Sequence, residues 1–108
     1  MMQAFDSVEN RLDSDGNHAG GHVRAPGLKI NWQDGPLGRG PERREPNGAF
    51  VETVIEAARQ RIAFYQNGKF ACEENRQAIA HLDMALEVLN ERTARREADN
   101  TEGTHEGN

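Results

Sequence analysis

Residues 49–98 read AFVETVIEAARQRIAFYQNGKFACEENRQAIAHLDMALEVLNERTARREA, and the spacing of their apolar side chains decides the fold. Val51, Val54, Ile55, Ala58, Ile62 and Tyr65 recur every three or four positions, so a helix of 3.6 residues per turn carries them on one broad face. Asn67-Gly68 follows, a pair that ends a helix because glycine enters the left-handed conformation without steric cost. A second helix is expected to begin near Cys72. Glu73 and Glu74 fall in its first turn and Arg92, Arg95 and Arg96 in its last, each sign matching the helix dipole. Along it Ile79, Leu82, Leu86 and Leu89 step by three, four and three residues, the narrow seam of a coiled-coil-like contact. Asn75 extends the seam at one end, Thr93 and Arg96 at the other. A link as short as the one around Gly68 makes the two helices antiparallel neighbours.

Two helices seldom bury enough surface to stand alone. Phe64, Met84 and Val88 fall outside the mutual face, so the hairpin is expected to self-associate, most simply as a dimer that forms a four-helix layer. The chain has 108 residues, 35% of them hydrophobic and 29% charged, which leaves no material for a second independent core.

Working outward, Leu28, Ile30 and Trp32 alternate with Lys29 and Asn31 and predict a short strand that Asp34-Gly35-Pro36 ends. Residues 38–48 mix Gly38, Gly40, Pro41, Pro46 and Gly48 with charged side chains and suit a loop, and Asn47 is placed to cap the first helix. Residues 1–27 are rich in Asp, Asn, Gly and His with little periodic hydrophobicity. They are read as a mobile N-terminal tail with His18 and His22 solvated. Asp13, Asp15 and Asn17 have a calcium-loop spacing without its closing Glu or flanking helices. The expected organisation is therefore tail 1–27, strand and loop 28–48, helical hairpin 49–98 and C-terminal tail 99–108. The fold class is α+β, mainly α, with short N-terminal strand(s) packed on an antiparallel two-helix hairpin that oligomerises.

The formal net charge of −5 opposes general binding of nucleic-acid polymers, which needs a dominant positive field. Cys72 is the only cysteine, so an intrachain disulfide framework and a multi-cysteine zinc site are excluded within one chain, and a reducing compartment fits best. No apolar run reaches the length of a membrane span and residues 1–27 lack the pattern of a signal peptide. A cytoplasmic protein with no membrane partner is expected.

No paired acid and base, metal cluster or phosphate loop marks an enzyme, and no cofactor is implied. Cys72 reads as a buried small thiol at a helix start, and His81 as a surface or interface residue. Arg92, Arg95 and Arg96 are the most suggestive chemical group, because guanidinium groups bind phosphate with fixed, often bidentate geometry. The same arginines also suit a dipole-stabilising last turn paired with Glu91 or Glu97, and both readings stay open.

Several motifs in order carry a resemblance. Trp32-Gln33-Asp34-Gly35-Pro36, Asn47-Gly48, Phe64-Tyr65-Gln66, Phe70-Ala71-Cys72-Glu73-Glu74-Asn75, Arg92-Thr93 with Arg96, and Glu102-Gly103-Thr104-His105 together resemble the phage Thoeris anti-defence sponge family over roughly Lys29 to His105. The resemblance implies a non-enzymatic phage protein, acting in the cytoplasm of the infected bacterial host, that sequesters the cyclic ADP-ribose isomer made by a Toll/interleukin-receptor-type defence enzyme. It implies ligand contacts at Tyr65, Asn75, Arg92 and Arg96. The hairpin is also similar to that of anti-CBASS sponges, which capture cyclic di- or trinucleotides and would suit a hexamer built from dimers. The chain departs from the family where Arg-Gly-Val usually precedes Glu-Gly-Thr-His, because Asp99-Asn100-Thr101 stands there. An acid thus replaces a cation near an anionic ligand.

Helix geometry constrains any such site. Asn75 and Arg92 are seventeen positions apart, about 26 Å along one helix at 1.5 Å per residue, too far for one small nucleotide to touch both. A twofold-related partner would bring its arginine end beside the first chain's turn and make two equivalent pockets. Trp32 either closes the wall of that pocket or packs its strand on the hairpin. A structural dimerisation module, with the arginines as helix caps, is the alternative of a different class.

Overall fold

A computed structural model describes residues 2–98. The order of elements is β1 (Ser7–Leu12), β2 (His18–Ala25), β3 (Leu28–Asp34), a short 3-10 turn (Gly40–Glu42), α1 (Val51–Gln66) and α2 (Glu73–Ala98). The α+β class stands, with three antiparallel strands ahead of two helices. The chain divides between Phe50 and Val51 into two compact units.

The first unit is a three-stranded sheet in the order β1-β2-β3. Sequence patterning placed no element in residues 1–27, and β1 and β2 correct that expectation. Every residue of β1 is exposed, so its side chains carry no burial signal and backbone pairing holds it. Gly21 makes the pairing possible: it adopts φ +149°, and a Cβ there would lie 2.1 Å from the Glu9 carbonyl oxygen. The turn between the strands uses the Asp13 carboxylate, whose Oδ1 accepts hydrogen bonds from the amides of Asp15 and Asn17 at 2.9 Å each. His22 is half-buried and shares a 2.7 Å hydrogen bond with Ser7 Oγ, so it is not the solvated side chain expected.

β3 has the predicted alternation, with Ile30 and Trp32 half-buried between exposed Lys29 and Asn31. It pairs with β2 from Ala25↔Leu28 to Ala19↔Asp34. Among the described residues the buried side chains are Val23 of β2 and Leu37 of the loop after β3. That loop returns to the sheet through Asn47. Its side chain accepts from the Asp34 amide at 2.8 Å and donates to the Asp34 carbonyl at 3.0 Å, while Gln33 Oε1 accepts from the Asn47 amide at 2.8 Å. Asn47 therefore clamps the end of β3 instead of capping α1, which starts four residues later. Beyond it Ala49 forms a parallel bridge with Trp32.

The second unit is the antiparallel hairpin. α1 ends at Gln66 beside Asn67-Gly68, as the sequence predicts, but Gly68 is not among the glycines with positive φ. The helix is closed instead by the Gly68 amide on the Tyr65 carbonyl (3.1 Å) and by Gln66, whose side chain donates to the Cys72 carbonyl and accepts from the Cys72 amide, both at 3.0 Å. Cys72 is exposed and not buried. Its Sγ accepts from the Asn75 amide at 3.4 Å and its carbonyl from the Arg76 amide at 3.3 Å, so it occupies the cap position of α2.

Asn75, Ile79, Leu82, Leu86, Leu89, Thr93 and Arg96 are all half-buried, and they trace the predicted seam from one end of α2 to the other. Arg59–Asp83 and Arg92–Glu52 ion pairs tie the two helices across it. Neither helix buries a side chain fully. Half-covered leucines deliver only part of the roughly 1.5–3 kcal/mol of a fully buried one, so the hairpin by itself is a weak structure.

Candidate functional site

Two clusters of chemistry lie at opposite ends of α2. The turn end is built by the C-terminus of α1 and the link into α2. Phe64 and Tyr65 have ring centroids 6.2 Å apart, and Tyr65 meets Phe70 edge-on at 6.4 Å. Arg61, four residues before Tyr65 and hence on the same face of α1, donates from Nε to Tyr65 Oη at 3.2 Å. Its guanidinium carbon is 5.1 Å from the centroids of both Phe64 and Tyr65, and Lys69 Nζ is 5.7 Å from that of Phe70. Together with Asn67 and Gly68 these side chains line a cavity of about 400 Å³. Asn75 supports this end: its Nδ2 donates to the Phe70 carbonyl at 3.1 Å and fixes the link that carries the ring.

The other end of α2 holds the arginines. Arg92 donates to Glu52 Oε1 of α1 at 3.0 Å and not to the neighbouring Glu91 or Glu97. Arg96 is half-buried and continues the seam three residues beyond Thr93, while Arg95 is exposed. Of the five residues singled out from the sequence, Tyr65 and Asn75 therefore share the turn end of the hairpin. Arg92 and Arg96 share the far end, about 26 Å away along α2. Trp32 belongs to the strand unit, where it is half-buried opposite Gly21 and Ala49.

Sequence inspection missed Arg61 and Lys69. The signal for Arg61 was the four-residue spacing to Tyr65 beside Phe64. Lys69 has no periodic signal, because the geometry of the link alone places it over Phe70.

Electrostatics at the start of α2 is structural. Glu73 accepts from Arg76 Nε at 2.8 Å and from Arg76 Nη2, and also from Gln77 Nε2 at 3.2 Å. These bonds, Arg76 foremost, pull its carboxyl from the usual 4.5 to about 2. Among the described residues no group of His, Cys, Asp and Glu side chains has a metal-binding arrangement, and no helix is long and apolar enough to cross a membrane.

The hairpin has counterparts among known proteins. Residues 25–94 match the family described as Acb2/Tad1, hairpin domain. Over 77 residues the chain is 42% identical to Thoeris anti-defense 1 of Bacillus phage SBSphiJ7. The similarity covers 71% of this chain and 51% of the relative, so the chain spans about half the length of the curated protein it matches. The matched region takes in β3, the Asn47 clamp, α1, the link and α2 as far as residue 94, and of these α1, the link and α2 carry Tyr65, Asn75 and Arg92. By this match, the chain belongs to the Acb2/Tad1 hairpin-domain family.

Proposed function

We propose that this chain is a phage immune-evasion protein that binds and sequesters a cyclic ADP-ribose isomer, the messenger of bacterial Thoeris defence, without cleaving it. It would act in the cytoplasm of the infected host. The observation that carries the reading is the 42% identity over 77 residues to a protein named Thoeris anti-defense 1, in a chain whose hairpin has an aromatic turn and an arginine end. An aromatic side chain stacks on a base or ribose, an amide supplies paired donor and acceptor, and guanidinium groups neutralise a pyrophosphate. Tyr65, Asn75, Arg92 and Arg96 supply those three kinds of contact.

The separation of the two ends along α2 favours a site shared between protomers. In a twofold dimer the arginine end of one hairpin meets the turn end of the next, and two equivalent pockets result. The exposed Phe64, Met84 and Val88, at 59%, 62% and 61%, supply apolar surface for such an assembly.

Calorimetric titration of the purified chain with cyclic ADP-ribose isomers tests the reading, alongside Arg92→Ala and Arg96→Ala. Each variant is expected to lose about tenfold or more in affinity, the worth of a charge-assisted hydrogen bond. Undiminished binding in both removes the phosphate clamp. Heating the complex is expected to release the ligand chemically unchanged, and a cleaved product points to an enzyme instead. Cyclic di- and trinucleotides in the same panel test the runner-up, an anti-CBASS-like sponge. A chain that binds no nucleotide is a structural dimerisation module.

A further inference from the structure

The turn cavity holds cations that no acid among the described residues neutralises. Arg59, Arg76 and Arg92 of the hairpin are paired with Asp83, Glu73 and Glu52. Arg61 and Lys69 have no carboxylate partner among the described residues and rest on aromatic rings instead. Arg61 uses Nε on the Tyr65 hydroxyl, and both its terminal amino groups lack a protein acceptor there. A planar guanidinium held against two rings loses little freedom when an anion arrives, so it is preorganised for a phosphate. Phe70, exposed at 66%, and Tyr65, at 37%, present ring surface to the same space. About 400 Å³ lies within the size range of small-molecule pockets.

A plain anion uses only the cations and an apolar molecule only the rings. A nucleotide uses both. We propose that Arg61 and Lys69 are phosphate contacts of the turn cavity and that Tyr65 and Phe70 form the stacking wall for the base, so a single chain grips one base-and-phosphate portion of the ligand. This assignment rests on the nucleotide-binding reading and adds contacts to it. Arg92 and Arg96 then serve a different portion of the bound molecule.

The test is titration of the full chain, wild type and variants, with cyclic ADP-ribose and with ADP at low and at high salt. Arg61→Gln is expected to weaken binding by about tenfold or more at low salt, the gap to wild type narrowing at high salt because screening removes what the charge contributed. Arg61→Lys restores part of the loss, since it returns the charge without the planar fork. Phe70→Leu weakens binding while its salt dependence stays that of the wild type. Lys69→Gln repeats the charge test at a position outside both helices, and circular dichroism checks that each variant keeps its helices. Wild-type affinity in both Arg61→Gln and Lys69→Gln, with Arg92→Ala defective, overturns this assignment and leaves the sponge reading standing. A wild-type chain that binds neither probe overturns both.

Discussion

Arg92 Nη2 donates to Glu52 Oε1 at 3.0 Å, joining the arginine end of α2 to the first turn of α1. The guanidinium proposed to clamp a phosphate thus already has an anion in its grasp, and a ligand must displace or share it. An exposed pair of this kind is worth at most about 1 kcal/mol. Glu52→Gln is therefore expected to tighten binding of a cyclic ADP-ribose isomer by about two- to fivefold, while lowering thermal stability only slightly. Calorimetry reads the first effect and a melting curve the second. Weaker binding in Glu52→Gln means that the carboxylate holds Arg92 in its working pose.

The Glu73–Arg76 pair makes a prediction in pH. The folded carboxyl titrates at about 2, below its usual 4.5, so the stabilisation it brings to the start of α2 is complete above about 4.5. It is lost progressively as pH falls from about 4.5 and is gone once pH has fallen through about 2. Following the Glu73 side-chain carboxyl carbon by NMR should give a midpoint near 2 in the wild type and one shifted toward 4.5 in Arg76→Ala. A wild-type midpoint at the ordinary value shows that the pair does not hold in solution.

Gly48 has no room for a side chain. A Cβ there would lie 2.6 Å from the carbonyl carbon and oxygen of Trp32 and 2.8 Å from the Asn31 oxygen, all of them backbone atoms that cannot swing aside. Gly48→Ala is expected to break the Trp32–Ala49 bridge and to cost the strand unit about 2 kcal/mol or more. Trp32 is the sole tryptophan, so its fluorescence through a urea titration reports on this unit directly. An unchanged midpoint argues against the bridge.

Val88 and Met84 lie exposed on α2 at a four-residue spacing, forming part of an apolar strip that a partner hairpin would cover. Val88→Asp is expected to shift the sedimentation coefficient from that of a dimer or larger assembly to that of a monomer. Nucleotide affinity should fall with it, because the pocket is proposed to form between protomers. A wild-type chain that sediments as a monomer and still binds tightly refutes the shared site.

Much of this molecule can be read along the chain. The hairpin seam from Asn75 to Arg96 follows from helical periodicity alone, since which side chains face inward is set within two turns of the backbone. β3 followed in the same way from the alternation of Leu28, Ile30 and Trp32. The family motif at Asn47-Gly48 was legible as a position but not as a role. Its position before α1 suggests a helix cap, yet the partners of Asn47 are Gln33 and Asp34, more than a dozen residues back, and nothing local names them.

The sequence by itself determined the two helices, their antiparallel pairing, one strand and the positions of the aromatic and arginine motifs, because each depends on side-chain patterns repeated over short range. Only the tertiary structure decided that residues 7–25 form two strands, that Cys72 caps α2 in the open, and that Arg61 and Lys69 stand over rings while Arg92 is engaged by Glu52. An exposed strand is held by backbone hydrogen bonds that leave no hydrophobic pattern, and the charge balance of a guanidinium depends on neighbours as far as forty residues away along the chain. Local periodicity encodes neither.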